Sequence, residues 1–272
     1  MKKAALLAII VCLSYGCSAR QEITQQDILH SGSWVDLSHD FSADTVYWPT
    51  AEPFKLTIVA AGKTDAGYYY SANQFSASEH GGTHIDAPVH FAESGDSVDR
   101  IPLDRLIGPA VKLDVSAKAK GDRDYLVSVA DLETWETKNG KIPDDSIVLL
   151  QTGWSDHWND RIKYLGTDKR GPEAVAELHF PGLAPDAARW LTENRKIKAI
   201  GLDTASIDYG QSTLFESHRT LMAQNIPAFE NLNNLDRLPV KIAMVIAMPM
   251  KIRGGSGGPL RIIALVERPR EQ

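Results

Sequence analysis

The stretch Glu79-His80-Gly81-Gly82-Thr83-His84-Ile85-Asp86-Ala87-Pro88-Val89-His90 carries three of the chain's eight histidines beside a carboxylate. Imidazole and carboxylate at this spacing suit a borderline divalent ion, zinc or manganese. A helix is disfavoured, because Gly81 and Gly82 each cost about 1 kcal/mol against alanine and Pro88 lacks a donor. A strand over Thr83 to Asp86 puts His84 and Asp86 on one face and turns Ile85 to a core. The two glycines let the chain turn and bring His80 to the same face. His90 is left over nearby. A single such histidine is more often a hydrogen-bonded core or surface residue than a ligand. Four candidate ligands on one turn shaped by Gly and Pro shift the balance to a metal site. Further along, Glu230 lies between Phe229 and Leu232, and a buried carboxylate there wants a cation or a donor. His218 and Glu230 taken singly are weak signals.

Strands and helices must bring these groups together. Trp34 to Leu37 reads as a first strand, Val46 to Pro49 as an aromatic edge, and Phe54 to Val59 alternates like a half-buried strand. Trp48 and Tyr68 to Tyr70 either line a pocket for a flat ligand or pack a sheet, and aromatics favour strands in any case. Ile101 to Leu106 is a short link and Ala110 to Val115 a strand. Ser128 caps a helix over Val129 to Lys138 that ends at Gly140. Ile147 to Leu150 is a continuous apolar run of buried-strand length, and Ile197 to Leu202 reads as another buried strand. The first opens into Thr152-Gly153-Trp154, with Trp154, His157 and Trp158 as pocket walls or surface residues. The second opens into Asp203-Thr204-Ala205-Ser206-Ile207-Asp208, where Asp203 is a ligand, an orienting group or a loop cap. Pro185 starts a helix with Ala188 and Leu191 on one face, and Thr213 to Gln224 is a helix carrying His218. Ile226 to Glu230, Val240 to Met248 and Arg261 to Val266 complete the strands. The loop Gly254 to Pro259 lacks the lysine of a phosphate-binding loop and reads as a turn or flap.

A chain of 272 residues, 43% hydrophobic and 24% charged, can bury a full core as one domain. The formal charge of −6 argues against nucleic acid and anionic membrane surfaces as partners. Lys2 and Lys3 before the apolar run Ala4 to Leu13 have the form of an export signal. Cleavage before Cys17 would give a lipid-anchored protein, and cleavage after Ala19 a soluble periplasmic one. Residues 1–19 are thus the expected signal, 20–33 a polar tether, and 34–272 the domain. With Cys12 inside the signal and Cys17 at its edge, the mature protein has no internal disulfide.

His80-x-x-x-His84-x-Asp86-Ala87-Pro88-x-His90, Phe180-Pro181-Gly182, Asp203-Thr204-x-Ser206-x-Asp208, and His218 followed by Phe229-Glu230-Asn231-Leu232 together resemble the cyclase family of metal hydrolases. That family includes bacterial kynurenine formamidase and isatin hydrolase. The resemblance runs from about Trp34 to Val266. It implies an α/β fold of the swivelling β/β/α type, a single domain with a mixed sheet and outer helices, and a homo-oligomer, dimer or larger. The metal ligands it implies are His80, His84, Asp86, His218 and Glu230, holding one or two zinc ions, with manganese as the alternative. His90 takes the position of the catalytic base and acid.

The implied reaction is hydrolysis of a small aromatic amide, with N-formylkynurenine first and isatin or another cyclic amide second. Trp48-Pro49-Thr50-Ala51-Glu52 departs from the Pro-Gly-Asp of the formamidases, and export is unusual for tryptophan breakdown. A different class is a periplasmic metal- or ligand-binding protein without turnover. The residues that contact the substrate are not legible in the sequence.

Overall fold

Ile147–Leu150 is buried on both faces, which only the interior of a sheet covered on both sides allows. The computed structural model describes residues 32–267, and the expected signal and most of the tether lie outside them. Among the described residues the strands are, in chain order, β1 (Ser33–Asp36), β2 (Lys55–Lys63), β3 (Tyr69–Ser76), β4 (His84–Asp86), β5 (Ile107–Asp114), β6 (Leu126–Val127), β7 (Ile147–Gln151), β8 (Gly182–Leu183), β9 (Ala199–Leu202), β10 (Ala228–Glu230), β11 (Lys241–Pro249) and β12 (Gly257–Val266). The longer helices are α1 (Val129–Asn139), α2 (Pro185–Asn194) and α3 (Glu216–Met222).

The main sheet runs β1-β12-β11-β5-β7-β9-β10-β4, and β4 also pairs with β12. Seven strands therefore close on themselves, with β1 laid on the outer edge of β12. The pairs β5–β7, β7–β9 and β9–β10 are parallel and the remainder antiparallel, so the sheet is mixed. Side-chain alternation sorts two cores. Ile147, Leu149, Ile85, Phe229, Ile242 and Ile262 fill the barrel interior. Val148, Leu150, Ile200 and Leu202 face outward and pack under Leu132, Trp135, Ala187 and Leu191 of the helices. This is the α/β architecture with a mixed sheet and outer helices that the sequence leads one to expect.

Helix α1 begins with a full capping box. Ser128 Oγ accepts from Asp131 N, and Asp131 in turn accepts from Ser128 N. Three expectations need correction. The segment from Phe54 is an outlying hairpin, β2 with β3, exposed along nearly its whole length, because no other strand pairs with it. Val46–Pro49 forms only a single bridge, Tyr47 to Gly81. Of the two alternatives for the Gly-rich loop the turn is found, at Arg253 and Gly254, and the flap is not: Gly257 and Gly258 already belong to β12, paired with Asp86 and Ile85 of β4.

Candidate active site

Strand β4 is only three residues long, and its two neighbours decide what meets its side chains. On one side Glu230 of β10 stands opposite His84, and on the other Gly257 stands opposite Asp86. His84, Asp86 and Glu230 thus share a face, while Ile85 enters the barrel core. Both upstream glycines are required, one by its backbone and one by a packed ring. Gly82 has φ +58, and a Cβ on Gly81 would fall 2.1 Å from the Tyr47 ring. The turn they make brings His80 Nδ1 to 2.6 Å from Asp86 Oδ1. His218, on α3, completes the cluster, with Nε2 at 3.0 Å from Asp86 Oδ2 and 3.1 Å from Glu230 Oε1. His84 Nε2 is 3.1 Å from Asp86 Oδ1 and 3.4 Å from Glu230 Oε2. The five expected ligands stand in one place as two overlapping groups, His80, His84 and Asp86 with Asp86, His218 and Glu230.

Hydrogen bonding fixes which nitrogens face inward. His84 Nδ1 donates to Gly82 O at 2.9 Å, and His218 Nδ1 donates to Asp208 Oδ2 at 2.6 Å. His80 Nε2 meets Ser256 Oγ at 2.8 Å. Each ring then turns its remaining nitrogen to the carboxylates of Asp86 and Glu230. Metal-binding histidines are held in this way, through the ring nitrogen that does not bind the metal.

The charges lead to the same reading. Burial works to lower the His84 pKa, yet the hydrogen bond and charge of Asp86, with Glu230 behind, raise it to about 9. Burial likewise opposes protonation of His218, and bonds to Asp208, Asp86 and Glu230 raise it well above its ordinary value. Burial and the neighbouring charge of Asp86 push Glu230 upward. Two buried carboxylates drawing protons onto imidazoles form a cluster in need of positive charge, and a divalent cation supplies it. The donor set of three imidazoles and two carboxylates fits zinc or manganese.

Asp208, absent from the expected site, accepts the backbone N–H groups of Ser217 and His218 as well as His218 Nδ1. It anchors the start of α3 and the ligand ring together. Asp203 is not a ligand. Its carboxylate, wholly buried, accepts from the backbone of Thr152, Gly153 and Trp154, the loop-capping alternative. Trp154 and Trp158 are not walls of this site: Trp154 packs in a core with Tyr164 and Phe180, and Trp158 stacks on His39.

The cluster forms the floor of a cavity of about 400 Å³. His90 lines it, its ring stacked on His80 with centroids 3.9 Å apart. Burial lowers its pKa to about 4, so the ring is neutral at physiological pH. The aromatic walls are Tyr47, Trp48, Phe91 and Phe215. Phe215 lies 5.3 Å from Phe91 and 6.5 Å from Trp48, centroid to centroid. Its φ of +48 is unusual for a non-glycine residue and costs of order 1 to 3 kcal/mol, a strain that concentrates at ligand sites. Trp48 is therefore a pocket wall, against the sheet-packing alternative, while Tyr68, Tyr69 and Tyr70 lie exposed on or beside the hairpin. The available signal for Trp48 was an aromatic beside a proline; Phe91 and Phe215 gave none.

The family model described as "Putative cyclase" matches residues 35–209. The isatin hydrolase of Roseibium aggregatum is 34% identical over 242 residues, covering 86% of this chain and 87% of the relative. The kynurenine formamidase of Salinibacter ruber is 28% identical over 234 residues, covering 84% and 95%. Among solved structures, isatin hydrolase A from Ralstonia solanacearum superposes with a TM-score of 0.78 at 34% identity, covering 87% of this chain and 92% of that one. With its metal-ready cluster and these likenesses over most of its length, the chain belongs to the cyclase family of metal-dependent hydrolases.

Proposed function

We propose that the chain hydrolyses an uncharged cyclic amide of the isatin class, with His80, His84, Asp86, His218 and Glu230 holding zinc or, alternatively, manganese. The observation that carries this choice is the lining of the cavity. Above the cluster its walls are aromatic, with Tyr47, Trp48, Phe91 and Phe215, the polar groups there are the uncharged Ser78, Ser206 and Asn231, and no lysine or arginine is among the lining residues. A flat aromatic amide finds stacking surface there. N-formylkynurenine, placed first by sequence, carries an amino-acid carboxylate that would be buried without a cationic partner from this chain. The likeness to isatin hydrolases supports the same order.

The chemistry that a divalent cation supplies when bound here is polarisation of a carbonyl and acidification of water. The chain's residues do the remainder. Trp48, Phe91 and Phe215 hold the ring and exclude water from its faces. His90, neutral and beside His80, accepts the proton of the attacking water and returns it to the amide nitrogen as the C–N bond breaks. Oxygen from water ends on the carboxylate, and the ring opens to an aromatic amine. Asp208 and Gly82 O keep His218 and His84 in one tautomer throughout.

The test is turnover of isatin and N-formylkynurenine by the same preparation, followed in the ultraviolet. A higher kcat/KM for isatin supports the proposal, and preference for N-formylkynurenine overturns the choice of substrate. The proposal includes export, because Lys2 and Lys3 precede the apolar run to Leu13. Cell fractionation checks it: protein in the cytoplasm at full length would remove it.

A further inference from the structure

Resting on the metal-binding reading of the site, we propose that Glu79 and Ser256 are positioning residues that hold His80 in the Nε2–H tautomer and so set the metal affinity. Ser256 Oγ donates its one proton to Glu79 Oε2 at 2.8 Å, and Ser256 N donates to the same oxygen at 2.9 Å. A hydroxyl whose proton is spent can only accept from its other neighbour. That neighbour is His80 Nε2, at 2.8 Å, which must therefore carry the ring proton. His80 Nδ1 is then bare and faces Asp86 Oδ1 at 2.6 Å, an acceptor against an acceptor that only a cation or an added proton can reconcile.

The surrounding backbone is shaped for this relay. Ser256 O accepts from Ala87 N, which ties the loop to the end of β4. A Cβ on Gly257 would stand 2.6 Å from His80 Cε1, and one on Gly255 2.7 Å from Glu79 Oε1. The Gly-rich segment that resembles no phosphate loop is thus the seat of the His80 ring and of the carboxylate behind it. His84 and His218 take their anchors from Gly82 O and Asp208. Glu79 with Ser256 is the equivalent anchor for the third imidazole, reached through a hydroxyl.

The experiment is zinc titration of the metal-stripped full chain and its variants, with circular dichroism to confirm folding. Ser256→Ala and Glu79→Met should each weaken zinc binding about 10- to 100-fold. Glu79→Gln keeps a carbonyl acceptor for Ser256 and should bind close to the parent. The double variant Glu79→Met/Ser256→Ala should be no weaker than the weaker single, since both act through one ring. Long-range ¹H–¹⁵N NMR of the zinc-loaded parent should show the His80 proton on Nε2. Parental affinity in both single variants, equal loss in Glu79→Gln and Glu79→Met, or a proton on Nδ1 would each overturn the relay. A parent that binds no zinc would overturn it together with the metal reading. A parent that binds zinc but hydrolyses no amide would overturn the proposed activity alone.

Discussion

At the scale of single residues, the cluster separates groups that would hold a metal from the group that would move a proton. His90 belongs to the second kind: it lines the cavity and stacks on His80, outside both groups of ligand atoms. His90→Ala is expected to keep its metal by elemental analysis while kcat falls about 10²- to 10⁴-fold, the usual worth of a positioned acid–base group. Unchanged turnover would remove His90 from the mechanism, and a binding protein without turnover would show no such split. The ligand candidates were legible because imidazole and carboxylate are uncommon at such spacing on a Gly-Gly turn. Their anchors were not. Glu79 and Ser256 are ordinary polar residues 177 positions apart, and Asp208, only 10 before His218, is an acid whose residue type does not say which ring it will meet.

At the scale of elements, legibility followed burial. Ile147 to Leu150 reads as a central strand because covered strands show continuous apolar runs, and the buried strand expected over Ile197 to Leu202 is found from Ala199, just past Lys198. Phe54 to Val59 shows the alternation of a half-buried strand, yet β2 pairs only with β3, and periodicity carries no information about which strand will be a neighbour. The segment leading to Tyr47 contains another feature without a sequence signal. His39 stacks face to face on Trp158, centroids 3.8 Å apart at 7°, with Nε2 buried and unpartnered. Burial lowers its pKa from 6.5 to about 4. The unfolded chain takes up a proton near pH 6.5 and the folded one only near pH 4. Stability from this group is therefore present above pH 6.5 and lost as pH falls towards 4, on the order of 3 kcal/mol in all. His39→Phe keeps a ring on Trp158 and removes the titration. Urea unfolding at pH 7.5 and pH 5 should show a smaller difference between the two conditions in the variant than in the parent; equal differences would contradict this account.

At the scale of the whole molecule, the closed barrel carries the site on one rim, and the β2–β3 hairpin stands away from it. Leu56, Ile58, Val59, Tyr69 and Phe75 are all more than half exposed on that hairpin. A two-stranded ribbon is marginal by itself, and apolar patches of this kind mark association surfaces. Self-association through the hairpin is accordingly expected, in keeping with the homo-oligomer that the family resemblance implies. Sedimentation velocity should show a dimer or larger for the parent and a shift towards monomer for Leu56→Lys/Ile58→Lys. A monomeric parent would contradict it. None of this could be read from composition, because exposure depends on which strands the hairpin fails to meet.

The central claim is that one cluster, drawn from β4, β10, α3 and the turn at His80, binds a divalent metal and that hydrolysis depends on it. The most direct measurement is isatin hydrolysis by the purified protein before chelation, after it, and after add-back of zinc or manganese. The account predicts turnover that chelation abolishes and metal restores, with a fall in thermal stability of the stripped protein as the cluster loses its cation. Turnover that survives complete removal of metal would contradict it.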